Sequence, residues 1–180
     1  MWPLAAIESV AKVARKHGIP MHMDGARLMN AVVASGVPAR DFAKSFDSLW
    51  FDLSKGLGCP VGGVLAGSHE FIQQAWQWKQ RMGGALRQAG IVAAAGVYAL
   101  ENNVERLAED HANARLLADR LATVPGIAIE PEAVETNIVY FDVEGTGMTA
   151  ADIYQALLER GVRIGRNSPF RMRAVTHLDV

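Results

Sequence analysis

The sequence predicts an α/β chain: a mostly parallel sheet with helices, followed by a small α+β segment. Three observations carry this. Helical and strand patterns alternate from about residue 4 to residue 124, as in a parallel α/β sheet. Two short apolar strands run straight into chemistry-bearing residues, Met21-His22-Met23 into Asp24 and Leu49-Trp50-Phe51 into the loop holding Lys55. Pro125-Gly126 then breaks a long helical pattern, and shorter strands and helices mix beyond it. The expected division is therefore residues 1–124 and 125–180.

The elements follow in order. Leu4, Ile7, Val10, Ala11, Val13 and Ala14 keep helical spacing, with Pro3 placed as a first-turn proline and Gly18 as the stop. Met21 to Met23 is a short buried strand, and Ala26 to Ala34 a helix closed by Gly36. Ser48 to Phe51 is the strand entering the lysine loop. Val61 to Ala66 is another strand, whose flanking Gly62, Gly63 and Gly67 point to close backbone approach. Glu70 to Met82 and Ala85 to Asn102 read as helices separated by Gly83-Gly84. A third long helix, about Val104 to Thr123, carries Leu107, Ala114, Leu117, Ala118 and Leu121 on one face. Past the break come strands at Ile127 to Ile129 and Ile138 to Phe141, a helix from Ala150 to Arg160, and strands near Val162 to Ile164 and Arg173 to Thr176.

Composition narrows the function classes. With 180 residues, half of them hydrophobic, the chain can bury a core. A net charge of −1 from interspersed acids and bases gives neither a nucleic-acid footprint nor a polybasic membrane patch. The single cysteine, Cys59, excludes an internal disulfide and a multi-cysteine metal site, and its plain reading is a reducing cytoplasm. No apolar run is long enough to span a bilayer, and the first residues do not form a signal peptide. Both ends read as cut, so a piece of a longer protein is expected.

Lys55 is the most informative residue. It stands in Asp52-Leu53-Ser54-Lys55-Gly56-Leu57-Gly58-Cys59-Pro60-Val61-Gly62-Gly63, one cation after a strand among small turn-forming residues. An isolated lysine of this kind is by default a solvated turn residue. Here the neighbours are small and apolar, so partial desolvation would favour the neutral amine that attacks carbonyls. The glycine spacing matches neither a phosphate-binding Walker loop nor a dinucleotide fingerprint. Asp24, at the other strand end, could merely cap the next helix, or it could pair with a buried cationic nitrogen. A lysine and an acid from two strand ends are what a pyridoxal 5′-phosphate enzyme needs, the lysine for the cofactor aldehyde and the acid for the pyridine nitrogen. Arg27 is either a helix-surface residue or a donor to a phenolate oxygen. His22 and Asp24 alternate on a strand, but no third metal ligand is visible.

The other candidates are weaker. Arg87, in Gly83-Gly84-Ala85-Leu86-Arg87-Gln88-Ala89-Gly90, is either a surface residue at a helix joint or a phosphate contact at a helix start. Arg171 and Arg173 share one face of a strand. One of them could clamp a carboxylate, or both could be edge-strand charges, which the residues alone favour. His111 and His177 read as helix-surface and strand-end residues. Trp76 and Trp78 read as packing or interface groups, and Asn137 as a turn residue.

Together these stretches resemble the threonine aldolase branch of the pyridoxal-phosphate-dependent fold-type I enzymes, grouped with the β-eliminating lyases. The matching residues are His22-Met23-Asp24-Gly25-Ala26-Arg27-Leu28 with Asn30-Ala31; Leu53-Ser54-Lys55-Gly56-Leu57-Gly58 with Pro60-Val61-Gly62; Gly83-Gly84 with Arg87-Gln88-Ala89-Gly90; Glu109-Asp110-His111; and Thr176-His177-Leu178-Asp179-Val180. Each motif alone is weak, and their combination over nearly the whole chain is specific.

The resemblance implies roles residue by residue. Lys55 matches the Schiff-base lysine, and Asp24 the partner of the pyridine nitrogen. Arg27 matches a contact to the cofactor's phenolate oxygen, Arg87 an arginine near its phosphate, and Arg173 the residue that binds the substrate carboxylate. The fold implied is the second half of a fold-type I large domain plus most of a small α+β domain truncated at its carboxyl end. The glycine-rich phosphate segment and the ring-stacking histidine of the family lie in a preceding half that this sequence does not contain. The implied reaction is retro-aldol cleavage of L-threonine, L-allo-threonine or a related β-hydroxy-α-amino acid to glycine and an aldehyde. A homodimer or homotetramer with shared active sites is implied as well. A racemase, β-eliminating lyase or aminotransferase on the same scaffold is the near alternative, and a non-catalytic fragment that only binds the cofactor or dimerises is the distant one.

Overall fold

A computed structural model of the chain describes residues 1–178; Asp179 and Val180, the last two residues of the final matching stretch, lie outside the described residues. Two compact units divide after Leu107. The sequence places that boundary at Pro125-Gly126. The difference is helix α6 (Leu107–Leu121), whose Ala114 and Ala118 are buried in the core of the second unit.

The first unit contains α1 (Leu4–Lys16), β1 (His22–Gly25), α2 (Leu28–Ser35), a short α3 (Ala39–Ala43), β2 (Ser48–Asp52), β3 (Gly63–Gly67), α4 (His69–Arg81) and α5 (Gly90–Asn102). Helix α1 buries Ile7, Ala11 and Ala14 of the stripe its spacing predicts, while Val10 and Val13 are exposed. Gly36 closes α2 with φ 70°, a left-handed cap that glycine adopts without a Cβ penalty. Helix α3 is unannounced in the sequence; at five residues it is too short for periodicity to reveal.

The sheet order is β1-β2-β3. Strands β1 and β2 are parallel, with Asp24 opposite Trp50 and Gly25 opposite Phe51. Strand β3 runs antiparallel to β2, contrary to the mostly parallel sheet expected. The cause is the connection. A lysine loop holding no crossover helix can only return the chain beside the strand it left. Two apolar clusters fix this layer. One gathers Ile7, Met23, Leu28 and Phe42; the other gathers Leu53, Leu57, Cys59, Ala99 and Leu107. Strand β3 and helix α4 bury no residue, and Trp76 and Trp78 are exposed. Helix α5 begins five residues later than its apolar pattern predicts, because residues 85–89 form an irregular joint.

The second unit holds most of α6, then β4 (Ile138–Asp142), α7 (Ala150–Leu158), β5 (Gly165–Arg166) and β6 (Arg171–Val175). Its antiparallel sheet has the order β4-β6-β5. Val139, Phe141 and Met172 point from this sheet into a core closed by Ala114, Ala118 and Ala150. A capping box starts α7: Thr149 accepts from the Asp152 backbone amide, and the Asp152 carboxylate accepts from the Thr149 amide. The expected strand at Ile127 to Ile129 is reduced to a single bridge from Ala128 to Asp142. The expected strand at Val162 to Ile164 forms instead at Gly165–Arg166.

Candidate active site

The site of the first unit is built on the carboxyl ends of β1 and β2. Because these strands are parallel neighbours, the residues just beyond them emerge on the same side of the sheet. Asp24, on β1, is exposed, and its Oδ1 accepts from the Ala26 amide at 3.0 Å. This is the tight turn that carries the chain from β1 into α2. His22, two residues earlier, has its Nδ1 2.8 Å from Ser48 Oγ.

Beyond β2 the chain folds back on itself. Asp52 Oδ1 accepts from the Ser54 amide at 2.7 Å and from Ser54 Oγ at 2.6 Å. Its Oδ2 receives the Lys55 ammonium as a direct ion pair. Lys55 Nζ also lies 5.4 Å from the centroid of the Trp50 ring. The Gly58 amide donates to Lys55 O at 2.9 Å, the Cys59 amide to Leu53 O at 2.9 Å, and Asn103 Nδ2 to Leu57 O at 2.8 Å. The loop is thus tied internally and also pinned from the end of α5.

Asp52 is the residue that sequence reasoning missed. A lone strand-end aspartate carries no signal of its own in the sequence, and its pairing with Lys55 becomes visible only once the loop has closed. Its side chain is 10 % exposed and that of Lys55 36 %. Burial pushes the Asp52 carboxyl up, but hydrogen bonds from Lys55 and Ser54 outweigh burial and hold it below the usual 3.8. A carboxyl lowered on folding stabilises the fold above its unfolded value, and that stability is lost as pH falls below 3.8 through the folded value. Cys59 is buried in the same loop, where burial and then the Asp52 charge push its thiol up.

A small cleft opens beside Lys55, lined among others by Gly25, Arg27, Asn30, Phe51, Asp52 and Lys55. The structure therefore brings Arg27, Asp52 and Lys55 to one cleft, with Asp24 at the adjoining strand end. Arg87 is exposed in the joint before α5 and is not among the cleft-lining residues. Asn103→Ala is expected to cost about 1 kcal/mol by removing the loop's outer pin. The measurement is urea unfolding, read as a lower midpoint at unchanged slope.

In the second unit, Arg173 lies on β6, the central strand, paired with Tyr140 on one side and Gly165 on the other. The edge-strand reading of Arg171 and Arg173 is thus overturned: β6 is flanked by β4 on one side and β5 on the other, a pairing order that the sequence does not reveal. Arg173 is half-buried, its guanidinium 6.0 Å from the Tyr140 ring, and its Nε is buried without a hydrogen-bond partner. Arg171 sits 5.4 Å from the same ring and 3.8 Å from Asp142. Asn137 stands at the bend that leads into β4. It is buried, and its Nδ2 donates to Thr176 O at 2.8 Å, while Thr176 Oγ1 donates to Asp110 O at 2.6 Å. His111, expected on a helix surface, is half-buried; burial lowers its pKa and neighbouring Asp110 opposes that shift.

Known proteins resemble this chain in sequence and fold. Low-specificity L-threonine aldolase 1 of Arabidopsis thaliana is 43% identical over 171 residues, 94% of this chain and 48% of that protein. The low specificity L-threonine aldolase of Escherichia coli is 40% identical over 178 residues, 99% of this chain and 51% of that protein. The chain spans about half the length of the curated relatives it matches. Among solved structures, a candidate L-allo-threonine aldolase of Listeria monocytogenes superposes with TM-score 0.83 at 25% identity, over 98% of this chain and 52% of that one. The threonine aldolase of Leishmania major, at TM-score 0.75 and 15% identity, shares the fold. The family model described as beta-eliminating lyase matches residues 1–144, a stretch that includes Asp24, Arg27, Lys55 and Arg87, and the chain belongs to that family.

Proposed function

We propose that an enzyme containing this chain uses pyridoxal 5′-phosphate to cleave L-threonine, L-allo-threonine or a related β-hydroxy-α-amino acid into glycine and an aldehyde. The observation that carries this reading is Lys55: a primary amine on a pinned loop, opening on a cleft at the carboxyl end of β2, with a carboxylate at the end of the parallel neighbour β1. The threonine aldolases among its relatives support the choice of substrate.

The residues present fit the cofactor. Lys55 is reachable from solvent, and a carbonyl-accepting amine must be. Asp24 is an exposed carboxylate able to hold a proton on a pyridine nitrogen. Arg27, on the cleft wall, suits a phenolate oxygen. Arg87 supplies a cation for a phosphate. Arg173, with a buried Nε still to be satisfied, suits a substrate carboxylate. When bound, pyridoxal phosphate supplies an electron sink for the bond that breaks at the amino acid's α-carbon. The chain's own groups do the rest. In these roles Asp24 would hold the proton on the ring nitrogen, Arg173 would bind the carboxylate, and the pinned loop would keep the Lys55 amine at the cleft mouth.

The test has two readouts. Mixing the protein with pyridoxal phosphate, reducing with borohydride and mapping the peptides is expected to place a stoichiometric label on Lys55. Incubating the loaded enzyme with L-threonine is expected to yield glycine and acetaldehyde. A keto acid or an inverted amino acid as the product would overturn the aldolase reading.

A further inference from the structure

We propose that Asp52 is a positioning residue for Lys55, holding its amine oriented in the cleft and governing how readily that amine reaches a carbonyl. The inference rests on Lys55 as the carbonyl-accepting amine, and it names the group that governs it.

The geometry is a two-sided clamp. Oδ1 of Asp52 is fully engaged by Ser54, which accounts for two hydrogen bonds and orients the carboxylate plane. That leaves Oδ2 for the Lys55 ammonium three residues on. Because the carboxylate is 10 % exposed, the pair is poorly screened on that side and its Coulombic coupling survives salt. The Trp50 ring, 5.4 Å away, holds the ammonium from a second side.

The other charged group on the cleft wall is Arg27, of the same sign as the ammonium. Cys59 is buried and faces the Asp52 charge. Among the cleft-lining residues, Asp52 is the one that is both in direct contact with Lys55 and oppositely charged. Any carbonyl ligand must draw the amine out of this pair before the nitrogen lone pair is available.

The test reads the free protein and needs no cofactor. Reductive methylation by formaldehyde and cyanoborohydride labels amines that are free to attack a carbonyl, so the rate at each lysine reports how readily its amine leaves its partners. Peptide mass spectrometry at one fixed pH gives that rate for Lys55, with Lys79 of α4 as internal reference. In Asp52→Asn, Lys55 is expected to label roughly tenfold faster relative to Lys79. Asp52→Glu is expected to restore most of the wild-type rate, which a merely structural role would not do. Ser54→Ala, a milder change, is expected to raise the rate by a smaller step, and it serves if Asp52→Asn does not fold. An unchanged Lys55 rate in these variants overturns the role of Asp52, whatever the cofactor experiment shows. A faster rate without any pyridoxyl label on Lys55 would uphold the Asp52 pair and overturn the cofactor reading instead.

Discussion

Lys55→Ala is expected to abolish the borohydride-stable pyridoxyl label and to lower glycine formation from L-threonine by roughly a thousandfold or more, the scale seen when a group on which the reaction is built is removed. Alanine removes two things at once, the amine and the cation that neutralises Asp52. Leaving Asp52 partly buried without its partner costs stability in its own right. Lys55→Arg separates the two effects. Its guanidinium keeps a positive charge beside Asp52 and so keeps the loop closed, but it stays protonated and cannot attack a carbonyl. The arginine variant should therefore unfold near the wild-type denaturant midpoint while losing the label as completely as alanine does. Lys79→Ala, on an exposed helix of the same unit, should retain the label. A label that persists in Lys55→Arg, or that moves to Lys44 or Lys79, would remove Lys55 from its assigned role.

The strand ends were legible because residue type and punctuation coincide there. Asp24 before Gly25-Ala26 and Lys55 before Gly56 each stand where an apolar run meets turn-forming residues, and the parallel pairing of β1 with β2 brings both ends to one side. What escaped the sequence was set by contacts distant along the chain or by very short elements. Asp52 carries no signal until the loop closes and presents Lys55 to its second oxygen. Arg173 looks like an edge residue because nothing in the sequence says that β6 inserts between β4 and β5. The buried hydrogen bond of Asn137 is hidden because its partner Thr176 lies 39 positions away. The antiparallel course of β3 was open to deduction, since the lysine loop holds no crossover segment.

Gly25→Ala is the substitution that should show how the fold holds the site. Gly25 has an ordinary backbone conformation, since it is not among the glycines with positive φ, so alanine meets no torsional objection there. The obstacle is space. A Cβ at this position would lie 2.4 Å from the carbonyl oxygen of Trp50, a backbone atom of the neighbouring strand that no side-chain rotation can move. Relief requires β1 and β2 to part where Gly25 faces Phe51, and that is where Asp24 and the lysine loop take their positions. The expected loss is about 1–3 kcal/mol of stability, the usual range for overpacking, accompanied by weaker pyridoxyl labelling of Lys55. Gly36→Ala is the informative contrast. Gly36 has φ 70° and no atom within 4 Å of a new Cβ, so it should lose about 1 kcal/mol through backbone strain alone while leaving the label intact. If both variants lost stability equally and both kept full labelling of Lys55, the close approach of β1 to β2 would not be what positions the lysine loop. If only Gly25→Ala loses the label, the absence of one methyl group between two strands is a condition for the chemistry at their ends.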